Sequence, residues 1–126
     1  MLREHVRVYV AGPLTALPEG YIGNMYRMFK AWGDLVRMGL APFPTGADLL
    51  PGLVNGDITV EEYKRVSASW LRAAHVVFRI EGVSPGSDEE VALARALDIP
   101  VVFGDYKKLE HLVRALTGCV PMEDEE

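Results

Sequence analysis

The chain has 126 residues, 49% of them apolar, a formal net charge of −5 and a single cysteine, Cys119. That length carries one domain able to bury a core without staples, and one cysteine excludes a disulfide framework or a cysteine-pair metal scaffold. The acidic balance, with Lys and Arg spread along the chain, argues against a nucleic-acid polymer as partner, because such binding draws on clustered cations.

No apolar run reaches the roughly 18 residues needed to span a bilayer, and Met1 to His5 runs into a strand without a signal-peptide core. The sequence therefore predicts a soluble, cytoplasmic protein. It divides into one domain over 1–120 and an acidic tail over 121–126 that ends Glu123-Asp124-Glu125-Glu126. His5, His75 and His111 lack ligand spacing, so neither a metal nor another cofactor is expected.

In chain order, Val6-Arg7-Val8-Tyr9-Val10 reads as a strand that stops at Ala11-Gly12-Pro13. Asn24 is placed to cap a helix with apolar positions Met25, Met28, Phe29, Trp32, Leu35 and Val36, ending at Gly39. Leu40 to Pro44 is a second strand whose prolines put it at or near a sheet edge. A loop through Gly56 leads to Thr59-Val60-Glu61-Glu62, a capping box opening a second helix with Tyr63, Val66, Trp70 and Leu71.

Ala74 to Ile80 follows as a short apolar strand, and Ala92, Ala94, Ala96 and Leu97 favour a third helix. Ile99 to Phe103 is the fourth strand, and Leu109, Leu112, Val113 and Leu116 mark a final helix stopped by Gly118. Short apolar strands alternating with amphipathic helices imply an α/β fold with right-handed crossovers. The expectation is one doubly wound, mostly parallel sheet of 4–5 strands, flavodoxin-like or Rossmann-like, with helices on both faces.

The loops after the first and third strands should meet above this sheet. Neither carries Gly-x-Gly-x-x-Gly or a Gly-Lys-Ser/Thr signature, and Pro18 with Gly20 is expected to delay the first helix, which disfavours a dinucleotide or P-loop site. The small residues Gly12, Ser84, Gly86 and Ser87 leave room for a phosphate or sugar close to the backbone.

Ser87-Asp88-Glu89-Glu90 fits a capping box, with Glu90 reaching back to the Ser87 N–H. The same position is the first turn of a helix at a strand's carboxyl end, where open α/β sheets bind ligands. Capping and chemistry are both open to Glu90 on these grounds.

Two segments, in order, resemble the nucleoside 2-deoxyribosyltransferase superfamily, and most nearly its small phage-associated branch. The first is Tyr9-Val10-Ala11-Gly12-Pro13-Leu14-Thr15, with Asn24, Phe29, Leu35, Gly39 and Pro42 after it. The second is Ser84-x-Gly86-x-x-x-Glu90-x-x-x-Ala94, and together they span Val6 to Val102. The resemblance implies cleavage or transfer at the N-glycosidic bond of a (deoxy)nucleoside. Glu90 is then the nucleophile that forms a covalent glycosyl-enzyme, held ionised by the helix start, and Tyr9 is the phenol that orients it.

By the same likeness Ser84 matches a serine that binds a 5'-phosphate in the monophosphate-hydrolysing branch, and Thr15 adds a hydroxyl to that phosphate. Gly12, Pro13, Gly86 and Ser87 complete the expected binding loops. A deoxynucleoside 5'-monophosphate N-glycosidase is thus an alternative within the same chemistry. Ser67 stands where relatives carry an aspartate three residues before an apolar side chain such as Trp70, and His75 stands where another aspartate is common. Those departures put the general acid in doubt and favour a catalytically inactive nucleotide-binding module as the other alternative. His75, of a residue type whose pKa can lie near neutrality, is open either to assisting or to the structural or exposed role more usual for a lone histidine at a strand start. The resemblance also implies a homodimer or larger homo-oligomer.

Overall fold

The computed structural model describes residues 1–13, 18–44 and 54–118. After a 3-10 turn at Arg3–His5 the order is β1 (Arg7–Ala11), α1 (Pro18–Arg37), β2 (Ala41–Pro44), α2 (Val60–Arg72), β3 (Val76–Arg79), α3 (Pro85–Ala96), β4 (Val101–Phe103) and α4 (Tyr106–Leu116). The four strands form one parallel sheet in the order β2-β1-β3-β4. The chain leaves β1 toward β2 on one side and returns to β3 on the other, so the carboxyl ends of β1 and β3 frame the switch point of the sheet.

Alternation along the strands separates two cores. Val8 and Val10 of β1 and Val76 and Phe78 of β3 pack with Met28, Ala31 and Leu35 of α1 and with Leu109 and Val113 of α4. Tyr9, Ala11 and Val77 point the other way and pack with Leu71 of α2 and Ala94 of α3. Successive side chains of a strand face opposite sides of a sheet, so the two helix pairs cover opposite faces. Each fully buried aliphatic side chain contributes about 1.5–3 kcal/mol relative to exposure. This is the mostly parallel α/β architecture read from the alternation of strands and helices.

Local departures have physical causes. α1 begins at Pro18, so Asn24 lies inside it and its side chain accepts from Arg27 at 2.7 Å instead of capping. Proline is suited to a first helical position, which has no intrahelical use for an N–H, so Pro18 opens the helix and does not delay it. The stop at Gly39 holds, with φ at +81°, a conformation that glycine adopts without a Cβ penalty.

The apolar stripe of α1 is divided. Met28 and Leu35 are buried, while Phe29, Trp32 and Val36 stay exposed, and the Trp32 indole N–H donates to the Pro42 carbonyl at 3.2 Å. β2 lies at the sheet edge, as its prolines predict. Among the described residues no helix is long and apolar enough to cross a membrane. Thr15, Cys119 and the acidic tail lie outside the described residues, as does most of the loop between β2 and α2.

Candidate active site

β1 carries Tyr9 to the face covered by α2 and α3, where its ring is buried. The ring stacks on Phe43 of β2 at 5.8 Å between centroids, and Phe43 stacks on Trp70 of α2 at 5.2 Å. An aromatic tier of this kind fixes the ring plane and therefore the direction of the phenol. The Tyr9 hydroxyl donates to Oε2 of Glu90, 81 positions away in the chain.

Glu90 is available for that bond because α3 starts earlier than its sequence pattern suggests. The N-cap is Ser84, whose Oγ accepts the Ser87 backbone N–H at 3.1 Å, and Pro85 occupies the first helical position. The Ser84 hydroxyl also donates to Ser87 Oγ at 2.9 Å. Two serines three residues apart competed for the cap, and the one followed by proline won, since proline is preorganised for that turn. The expected Ser87–Glu90 capping box does not form, and Glu90 lies beyond the first turn, where helix-start donors no longer reach it.

The electrostatics change accordingly. Burial pushes the Glu90 carboxyl above its ordinary value, against the Tyr9 hydrogen bond and the Arg79 charge, which pull it down, while Glu89 adds to the upward push. This is opposite to a carboxylate held ionised by a helix start. A partly desolvated carboxylate is a stronger nucleophile or base than a solvated one, and perturbed carboxyls in clefts mark candidate functional sites.

Glu90 lines a cleft of about 480 Å³ between α2 and α3. Gly12, Ser84, Gly86 and Ser87 line it from the strand ends and the start of α3, and Tyr63, Lys64 and Ser67 line it from α2. Gly12 belongs there for a steric reason: a Cβ would stand 3.0 Å from Cβ of Ile80 and 3.4 Å from Cε of Met28. Pro13 does not line the cleft but supports its rim. It packs against Gly82, whose φ is +130° and whose missing Cβ would come within 2.6 Å of the proline ring. The loops after β1 and β3 therefore meet, as the fold class requires.

Ser67 is inside the cleft, but His75 is not. His75 precedes β3 at the amino end of the sheet, opposite to the cleft, and its Nδ1 accepts the Arg7 backbone N–H at 2.9 Å. Burial, followed by the Arg7 charge, lowers its pKa, so the ring is a neutral structural acceptor. Of the two roles open to His75, this position gives it the structural one and takes it away from Glu90. Among the described residues no group of three or more His, Cys, Asp or Glu side chains could hold a metal ion.

Sequence reasoning missed Arg79, which is only 5% exposed at the end of β3. Its guanidinium donates to the carbonyls of Ile80 and Gly82, the latter at 2.9 Å, and to Asp88 at 3.2 Å. A signal was present, because a charge inside an otherwise apolar strand needs a local partner. Also missed was Lys64, which reaches from α2 to Glu89 on α3 at 3.3 Å. No protein-family model matches the chain, and no curated protein matches it.

Proposed function

We propose that the protein cleaves or transfers at the N-glycosidic bond of a (deoxy)nucleoside, with Glu90 as nucleophile and Tyr9 as its orienting partner. The observation that carries this reading is the Tyr9 to Glu90 hydrogen bond beside a cleft at the switch point of the sheet. It joins the two segments on which the family resemblance rests. A carboxylate oxygen of Glu90 attacks the anomeric carbon as the carbon–nitrogen bond breaks, and the base leaves with the bonding electrons and takes up a proton. Water or a second base then attacks the same carbon and frees the carboxylate.

Tyr9 holds Oε2 through its O–H, so the attacking oxygen keeps one direction. Burial raises the Glu90 pKa, so ionisation of the nucleophile is displaced to higher pH than for an ordinary glutamate. Loss of activity on the acid side follows from that sign. Ser67 faces the cleft and is a poor acid, which leaves the proton for the base to come from solvent or from another donor at the cleft wall.

A second reading, hydrolysis of a nucleoside 5'-monophosphate, is favoured by Lys64, the cation that lines the cleft near Ser84, Gly86 and Ser87. Its pairing with Glu89 is exposed and weak, so an incoming phosphate competes for it at little cost. Trp32 and Trp70, exposed and in contact with the edge strand β2, support a homo-oligomer, most simply a two-fold dimer. The chemistry suits a cytoplasmic enzyme using small-molecule substrates and no cofactor.

Incubation with deoxynucleosides and with their 5'-monophosphates, each with and without an acceptor base, tests the proposal by chromatography of the free base. Release with exchange identifies a transferase, and release without exchange a hydrolase. Binding with no release from any substrate overturns the enzymatic reading and leaves a nucleotide-binding module.

A further inference from the structure

A buried arginine is an expensive way to finish a strand. Removing a guanidinium from water costs several kcal/mol in effect, and an aliphatic side chain would close the same layer more cheaply. Arg79 is nonetheless buried, and its Nε has no hydrogen-bond partner among the described residues. Its remaining bonds all go to two places: the loop carbonyls of Ile80 and Gly82, and the Asp88 carboxylate in the first turn of α3. Gly82 in turn bears on Pro13 of the β1 loop.

The same side of the sheet carries Tyr9 on β1, and Ala11 is the register partner of Arg79. The guanidinium thus lies under the rim of the cleft, on the side where Tyr9 meets Glu90. We propose that Arg79 is a positioning residue for Glu90: its planar fork locks the strand-end loop to the start of α3 and holds a cation beside the carboxylate. The claim rests on the glycosidic reading for its catalytic consequence, though not for the link between the two side chains.

Among the described residues, three groups act on Glu90. Tyr9 comes from β1, Arg79 from β3 and Glu89 from its own helix, and Lys64 of α2 is paired with Glu89. Tyr9 and Arg79 both favour the ionised form, and Arg79 is the cation of the set acting directly on it. Lysine in its place would keep the charge but could not span two carbonyls and a carboxylate with a flat fork.

The test is a carbon-13 titration of the Glu90 carboxyl in the wild type, Arg79→Gln and Arg79→Lys, with the resonance assigned by its absence in Glu90→Gln. Arg79→Gln is expected to move the Glu90 midpoint upward. Arg79→Lys is expected to keep it near wild type while kcat falls by at least about tenfold with KM unchanged, the signature of misplacement. A folded Arg79→Gln protein that titrates at the wild-type midpoint overturns the proposal. If Arg79→Gln does not fold, wild-type kcat in Arg79→Lys overturns it instead. Should even the wild type release no base, the glycosidic reading fails, and the titration alone still decides whether Arg79 acts on Glu90.

Discussion

At the start of α2 the Glu62 carboxylate turns back to accept the Thr59 N–H at 2.9 Å, while Thr59 Oγ1 accepts the Glu62 N–H at 3.1 Å. At the start of α3 the same Ser/Thr-x-x-Glu spacing, Ser87 to Glu90, makes no such box, because Ser84 and Pro85 have already begun the helix. One glutamate is consumed by capping and exposed to water; the other is carried past the first turn and handed to Tyr9. Their acidities part accordingly. The Thr59 backbone and hydroxyl bonds lower Glu62, whereas burial raises Glu90. Three residues of helix phase separate a structural carboxylate from an available one.

The strongest way to break this contrast is to neutralise each glutamate in turn. Glu90→Gln keeps a carbonyl acceptor for Tyr9 but has no nucleophile, and base release should fall on the order of 10³-fold or more. Glu62→Gln retains its capping geometry, since glutamine serves at the third position, and should turn over like the wild type. Steady-state assays on the two variants read the difference directly. Comparable losses in both, or none in Glu90→Gln, would end the nucleophile assignment.

Next in size is Tyr9→Phe. It keeps the aromatic tier with Phe43 and removes the hydroxyl that donates to Glu90. A hydrogen bond to a charged group is worth about 1.5–3 kcal/mol, so kcat/KM should fall roughly ten- to hundredfold at neutral pH. Because the Tyr9 hydroxyl lowers the Glu90 pKa, the acid limb of the pH profile should also move upward. A variant with an unshifted limb would mean that the hydroxyl contributes nothing to the ionisation of Glu90.

How much of this contrast could be read in advance depends on the range of the interaction. The Thr59 box is local, and its residue spacing sufficed to place it. The Gly39 stop and the edge position of β2 were legible for the same reason, glycine and proline being restricted by their own backbones. At α3 two local solutions competed, and the weight of Pro85 was not recognised. Tyr9 and Glu90 meet only through the sheet and helix packing, so their pairing entered through family resemblance and not through spacing. Arg79 interrupts an apolar strand and so signals a need for local partners, but which carbonyls and carboxylate serve is fixed only once the chain folds back at Gly82.

The two caps themselves offer a smaller comparison. Thr59→Ala and Ser84→Ala each remove a side-chain acceptor for a helix N–H, and each should cost about 1 kcal/mol in denaturant unfolding. Ser84 lines the cleft and Thr59 does not. Ser84→Ala should therefore also weaken binding of a nucleoside 5'-monophosphate more than that of the free nucleoside, and Thr59→Ala should alter neither. Calorimetric titration of both ligands into both variants checks this, and equal losses for the two ligands in Ser84→Ala would confine Ser84 to its capping role.

The smallest effect is in the pH dependence of stability, and it separates the glutamates by sign alone. Glu62 has a folded pKa below 4.5, so in the window beneath that value the unfolded chain binds more protons and stability rises with pH. The wild-type advantage over Glu62→Gln should be present above about 4.5 and fade as the pH falls through the folded value. Glu90 has a folded pKa above 4.5, so the folded chain binds more protons in the window above it and stability falls as pH rises. Glu90→Gln should then gain on the wild type as the pH rises from 4.5. Melting temperatures of the three proteins from acid to neutral pH give two difference curves. They should slope in opposite directions on either side of 4.5; curves of the same sign would show that the two carboxylates are not shifted in opposite directions.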